Sequence, residues 1–166
     1  MQDTDKSNQI HPDTRIGHVH LKVSDLERSL RFYTDVLGFE ITGRLGNSAA
    51  FVSAGGYHHH IGLNTWESAG GSPPPRGNTG LYHFAILLPG RKELARIVRR
   101  LSEYDWPIDG ASDHGVSEAI YLKDPDRNGI ELYADRPRRE WPRDKSGEYA
   151  LVTLPLDLDS LMAELD

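Results

Sequence analysis

The chain has 166 residues, 37% hydrophobic and 27% charged, with a formal net charge of -6. That length suits one domain or two small modules sharing a core; the acidic balance argues against nucleic acid as a partner, and no apolar run approaches the roughly 20 residues needed to span a bilayer. The sequence has no cysteine, which excludes disulfides and thiolate metal sites, so any bound metal has to be held by nitrogen and oxygen.

Residues 1–15, beginning MQDTDKSNQIHPDT, read as an N-terminal extension. They lack the basic-then-apolar order of a secretory leader, and a cytoplasmic protein is expected. IGHVHLKV (16–23) alternates as a strand, with Val19, Leu21 and Val23 on one face and His18, His20 and Lys22 on the other. The spacing of Leu26, Leu30, Tyr33 and Leu37 predicts a helix near 25–36, capped by Ser24 or Asp25 and ended by Gly38. FEITGRLG, SAAFVSA and HHIGLNT then read as three strands separated by turns.

After the Gly/Pro-rich linker 67–79 the same order returns. GLYHFAILLP (80–89) is a strand, and Leu94, Ile97, Val98, Leu101 and Tyr104 mark one face of a helix near 91–104. WPIDGASD, VSEAIYLK and GIELYAD follow as strands, the last two joined by the turn DPDRNG. Both halves therefore read βαβββ, as modules 16–66 and 80–135 of one domain over 16–135. The expectation is an α+β fold in which the two paired modules form a cupped, partly closed mixed sheet, helices outside and polar strand faces lining a shared cavity. In the tail, 136–166, Leu158, Leu161, Met162 and Leu165 make a short amphipathic helix after Pro155, packing on the domain or on a partner subunit.

Aligning the modules by their strands sets His18 on His83 and Glu131 on Gly62. A lone strand histidine is usually a structural hydrogen-bonding group, and a lone terminal-strand glutamate is usually solvated. Here the positions match across a repeat, and two histidines with one carboxylate on separate strands make a facial triad suited to Fe(II) or Mn(II). His18, His83 and Glu131 are the candidate metal ligands. His20, two residues past His18 on the same face, is the rival ligand or a substrate contact.

HVHLKVSDLERSLRFYTDVLGFE and DPDRNGIELY resemble the first-module and last-strand signatures of the vicinal oxygen chelate superfamily, which includes glyoxalase I, fosfomycin- and bleomycin-resistance proteins and type I extradiol dioxygenases. The likeness covers residues 16 to about 135 and implies that His18, His83 and Glu131 hold the metal. It runs furthest toward the catechol 2,3-dioxygenase-like group, through GGYHHHIGLNTW and DRPRREWPR. That resemblance implies three acid–base residues: His60 in the HHH tract, His114 in DHGVS, and Tyr121, ten residues before Glu131. Strand parity turns His60 toward the cavity, with Gly62, and turns His59 away. His58 and His11 read as exposed.

The function implied is a non-haem Fe(II) extradiol ring-cleaving dioxygenase, with Mn(II) the other candidate ion. Its partners would be O2 and a catecholic or hydroquinone-like aromatic, in a homodimer or higher homo-oligomer. The rivals are a glyoxalase-like isomerase or lyase, which glycine at position 62 disfavours because it cannot coordinate, a thiol transferase, and a non-catalytic ligand-sequestering resistance protein, which would not need the triad.

Overall fold

Alternation in IGHVHLKV buries Leu21 and Val23 and leaves His20 and Lys22 exposed, and the first strand, β1, forms over Val19–Lys22. The structure is a computed structural model that describes residues 9–150 and 152–166. The first eight residues of the expected N-terminal extension, and Leu151 in the tail, lie outside the described residues.

Asp25 caps the helix that follows, its carboxylate accepting from the Arg28 amide at 2.9 Å. Helix α1 runs Leu26–Arg31 and widens into a π-turn over Phe32–Val36, so the expected single helix is two segments of different pitch. The π-turn sets Phe32, Tyr33 and Val36 all in the core. Gly38, at φ 86°, ends it where the C-cap was expected.

Strands β2 (Glu40–Leu45), β3 (Ala49–Ser53) and β4 (Ile61–Asn64) complete the first module. The second contains β5 (Phe84–Leu87), α2 (Arg91–Glu103), β6 (Ile108–Asp113), β7 (Ser117–Lys123) and β8 (Gly129–Asp135). The tail adds β9 (Leu154–Pro155) and α3 (Leu158–Met162). The sheets run β1-β4-β3-β2 and β5-β8-β7-β6-β9. In each, the first strand of the module pairs parallel with its last, and the remaining module pairs are antiparallel.

The repeat extends to its irregularities. One bulge falls between Ile41 and Gly43, the other between Ile108 and Gly110. In both, the glycine after the bulge lies opposite an aromatic residue, Phe51 or Tyr121. The α+β class and the two βαβββ modules are as expected. The cup is not closed: β1 and β5 each stand at the edge of their own sheet.

Helix α1 packs on β3 and β4, and α2 packs on β8 and α3. Apolar residues from both modules and from α3 form one continuous core, with Leu94, Leu101, Ile120 and Leu161 fully buried. The tail helix thus packs on its own domain. Arg91 fastens it, donating to the Ser160 carbonyl at 3.0 Å and to Glu164 at 2.6 Å while also holding Glu118 at 2.7 Å.

The DPDRNG turn ties the modules together. Asp124, 3% exposed, accepts from the Asp126 amide, the Asn128 amide and side chain, and the Tyr33 hydroxyl at 3.0 Å. Asp126 accepts from the Ser24 amide at 3.2 Å, the Ser24 hydroxyl at 2.6 Å and Arg28 at 2.6 Å. Its side chain is only 10% exposed, whereas that of Arg28 is 43% exposed. Removing the carboxylate strands donors at the start of α1. Asp126→Ala should therefore lower stability by about 1–3 kcal/mol, and Arg28→Ala by no more than about 1 kcal/mol. Urea midpoints at an unchanged slope measure both, and equal losses would contradict this account.

Candidate metal centre

Cross-strand register builds the second-module half of the site. Tyr121 pairs with Glu131 across β7 and β8, and Glu131 pairs with Ala85 across β8 and β5. His83, just before β5, shares the face of Ala85 by alternation. His83 Nε2 lies 3.0 Å from Glu131 Oε2. The Tyr121 hydroxyl lies 3.1 Å from Glu131 Oε1 and 2.7 Å from His114 Nε2. His114 Nδ1 lies 3.0 Å from the Val152 carbonyl oxygen, which can only accept, so Nδ1 donates. A neutral His114 then offers Nε2 as an acceptor, and the single Tyr121 proton has two acceptors in reach.

Burial, then the charge and hydrogen bond of Glu131, push the Tyr121 hydroxyl up to about 12. It therefore keeps its proton at neutral pH. A cavity of about 470 Å³ opens beside these groups, lined in part by Tyr82, His83, Gly110, Tyr121 and Lys123. That volume is in the range of small-molecule sites.

These donors fit a divalent cation. Neighbouring ligands on an octahedral ion with bonds of about 2.1 Å lie about 3.0 Å apart, which is the separation of His83 Nε2 and Glu131 Oε2. Among the described residues His83 Nδ1 is buried without a hydrogen-bond partner, so Nε2, facing Glu131, is the nitrogen aimed at the site. The set is imidazole and carboxylate only, which suits Fe(II) or Mn(II).

In the first module the same row reads differently. Gly62 pairs with His20 on one side and Phe51 on the other, and the His20 ring lies over Gly62. A Cβ at residue 62 would sit 2.9 Å from His20 Cγ. The corner that carries Glu131 in the second module is filled here by an imidazole from the next strand. His18 is exposed, and its ring centroid lies 4.5 Å from that of His59.

The expectation that His59 turns away from this face is corrected. Strand β4 begins only at Ile61, so strict alternation does not reach back to His59, and its ring packs on both His18 and Phe51. Burial, followed by the positive character of His18 and His58, lowers its pKa. His60 accepts at Nδ1 from the Ala54 amide at 3.3 Å and lies 2.9 Å from the Ser53 hydroxyl. Ser53 shares a strand face with Phe51.

The structure therefore brings His83, Glu131, Tyr121 and His114 together, and separately gathers His18, His20, His59 and His60 in the first module. Among the described residues no three histidine, aspartate or glutamate side chains come close enough to hold one ion. His18 and the His83–Glu131 pair flank the two open sheet edges. Sequence reasoning missed the packing of His59, the His20 ring over Gly62 and the Val152 carbonyl. Only the second had a signal, since His20 and Gly62 occupy matching strand positions.

Residues 15–132 match the model of the Glyoxalase/Bleomycin resistance protein/Dioxygenase superfamily. The chain is 48% identical over 156 residues to the catechol-2,3-dioxygenase of Bacillus subtilis (strain 168), a match covering 93% of this chain and 53% of that protein. It is 31% identical over 123 residues to the metapyrocatechase of Geobacillus stearothermophilus, covering 72% of this chain and 34% of that protein. The chain thus spans about half the length of the Bacillus relative, or less than that of the Geobacillus one. A glyoxalase/dioxygenase from Nostoc punctiforme superposes with a TM-score of 0.63 at 21% identity, over 77% of this chain and 97% of that one. With the repeat, its duplicated bulges and the matched region in agreement, the chain belongs to the glyoxalase/bleomycin resistance protein/dioxygenase superfamily.

Proposed function

We propose that the protein is a non-haem extradiol dioxygenase, opening a catecholic or hydroquinone-like ring beside its hydroxyls and adding both atoms of O2. The observation that carries this reading is the unbroken hydrogen-bonded line His83–Glu131–Tyr121–His114. It joins two candidate ligands to two proton-handling groups. The likeness to the two dioxygenases supports it. A lyase with a fourth protein ligand at position 62 is disfavoured, because the His20 ring occupies that corner.

His18, His83 and Glu131 would hold Fe(II), with Mn(II) the alternative, and the bound cation would lower the pKa of the catechol hydroxyls and let O2 react beside them. Tyr121, protonated at neutral pH, turns its O–H toward a phenolate oxygen in place of Glu131. His114 Nε2 receives the proton that Tyr121 or the substrate releases. His60, its Nδ1 held by Ser53 and Ala54, keeps Nε2 for proton transfer on the oxygen side. His59 braces the His18 ring.

Coordination by all three ligands requires the β1 edge to meet a β5 edge. Each edge is open, and exposed apolar residues flank both: Ile16 before β1, and Leu81 and Tyr82 before β5. Pairing of these edges between two chains gives the homodimer, with the site at its interface.

Anaerobic purification followed by metal analysis and a catechol panel, read by the absorbance of the ring-opened product, tests the proposal. About one divalent ion per chain and turnover of at least one catechol are expected. His18→Ala, His83→Ala and Glu131→Ala should each lose metal and activity together, and full metal retention in His18→Ala would remove it from the ligand set.

Tyr121→Phe, His114→Ala and His60→Ala should keep their metal and lose turnover by about 10²–10⁴. His59→Ala should instead weaken metal binding by about 10-fold or more, as loss of a group bracing a ligand does. Metal titration and steady-state rates on the same preparations separate the two classes.

A further inference from the structure

We propose that the tail beyond the matched family region is part of the acid–base site: the Val152 carbonyl fixes His114 in the Nδ1–H tautomer and so sets Nε2 to accept from Tyr121. This deepens the dioxygenase reading and rests on the role it gives His114. Val152 is a positioning residue, acting through His114.

Three observations carry it. The Nδ1 to Val152 oxygen distance is 3.0 Å and the Nε2 to Tyr121 oxygen distance is 2.7 Å, so both ring nitrogens are engaged at hydrogen-bond distance. A carbonyl has no proton to give, and this dictates which nitrogen is protonated in the neutral ring. The Thr153 hydroxyl, at 3.4 Å from Nδ1, is too distant to compete.

The carbonyl is also held in place. Strand β9 pairs with β6 through Ser112↔Pro155 and Asp113↔Leu154, immediately before His114. On its other side, Gly115, at φ 73°, packs so tightly under the tail that a Cβ there would lie 2.8 Å from Pro142 Cγ and 3.0 Å from Val152 Cγ2. The Ala150 amide donates to the Pro142 carbonyl at 2.9 Å, and the Trp141 indole donates to the Arg136 carbonyl at 2.8 Å. Released from this acceptor, the ring redistributes its proton to Nε2 and presents a donor where Tyr121 needs an acceptor.

The test weakens the acceptor without changing a side chain. Replacing the Val152–Thr153 amide by an ester makes that carbonyl a poorer acceptor. The 166-residue chain can be assembled by ligation at Ala150 through a cysteine that is then desulfurised, a route open because the sequence has no cysteine. Nitrogen-15 NMR of the His114 ring in metal-free protein reads the tautomer, and steady-state kinetics of the metal-loaded protein read the rate.

In the unmodified protein, Nδ1 should carry the proton and Nε2 should not. The ester form should show a mixture of tautomers, with kcat lowered about 10-fold and KM changed less than about 2-fold. Thr153→Val should leave both unchanged. A proton on Nε2 in the unmodified protein overturns the proposal, as does an ester form whose tautomer is unchanged, whatever its rate. If the tautomer shifts as expected but the unmodified protein opens no catechol, the dioxygenase reading fails and the positioning of His114 by Val152 stands.

Discussion

The pairing of Tyr121 with Glu131 and of Glu131 with Ala85 governs the polar face of the second module. Side chains alternate along a strand with a period of two, so a slip by one residue would send Tyr121 and Glu131 into the core and Ile120 and Leu132 toward solvent. The cost of burying a carboxylate and exposing those two apolar side chains fixes the register. With it come the 3.0 and 3.1 Å contacts of Glu131. The bulge at Gly110 adds to this control, since the absence of a side chain there leaves room beside the Tyr121 ring, 4.0 Å from where a Cβ would stand.

The first module keeps the geometry and changes the chemistry. Phe51, Gly62 and His20 form the same row that Tyr121, Glu131 and Ala85 form in the second. An apolar ring replaces the phenol, glycine replaces the carboxylate, and a large side chain replaces the small one. The substitutions compensate in volume: the imidazole of His20 lies in the space a side chain at 62 would need. A duplicated scaffold thus carries different side chains at matching positions, a phenol and a carboxylate in one half and a phenyl ring, a glycine and an imidazole in the other.

Most of the fold was legible because periodicity and turn residues carry it. The strands, both helices, the Gly38 stop and the βαβββ repeat follow from local pattern. The π-turn and the separation of the two sheets are set by packing between modules, which leaves no local trace. Of the candidate site, His83, Glu131, Tyr121 and His114 lie together in one hydrogen-bonded line; the repeat pointed to the first two, and the family resemblance, through the spacing before Glu131 and DHGVS, to the other two. His59 was misplaced for a definable reason: parity was carried past the start of β4, where the backbone no longer alternates. The Val152 carbonyl had no signal at all, since a main-chain acceptor is the same in every residue and only tertiary contact can appoint it.

Two tyrosine–carboxylate pairs in the molecule differ in what they leave free. Tyr33 meets Asp124 at 3.0 Å, and Tyr121 meets Glu131 at 3.1 Å. Burial raises both phenols, Tyr33 the more strongly. The difference lies in what remains unspent. Asp124 is enclosed and accepts from two amides, the Asn128 side chain and Tyr33, so no lone pair is left for a ligand. Among the described residues no backbone amide donates to the Glu131 carboxylate; its second oxygen faces His83, and its side chain is 15% exposed beside a cavity. Tyr33 ends its line at a saturated carboxylate, whereas Tyr121 continues through His114 to the tail. Glu131 keeps lone pairs that Asp124 has already spent, and the Tyr121 proton beside it has two acceptors in reach.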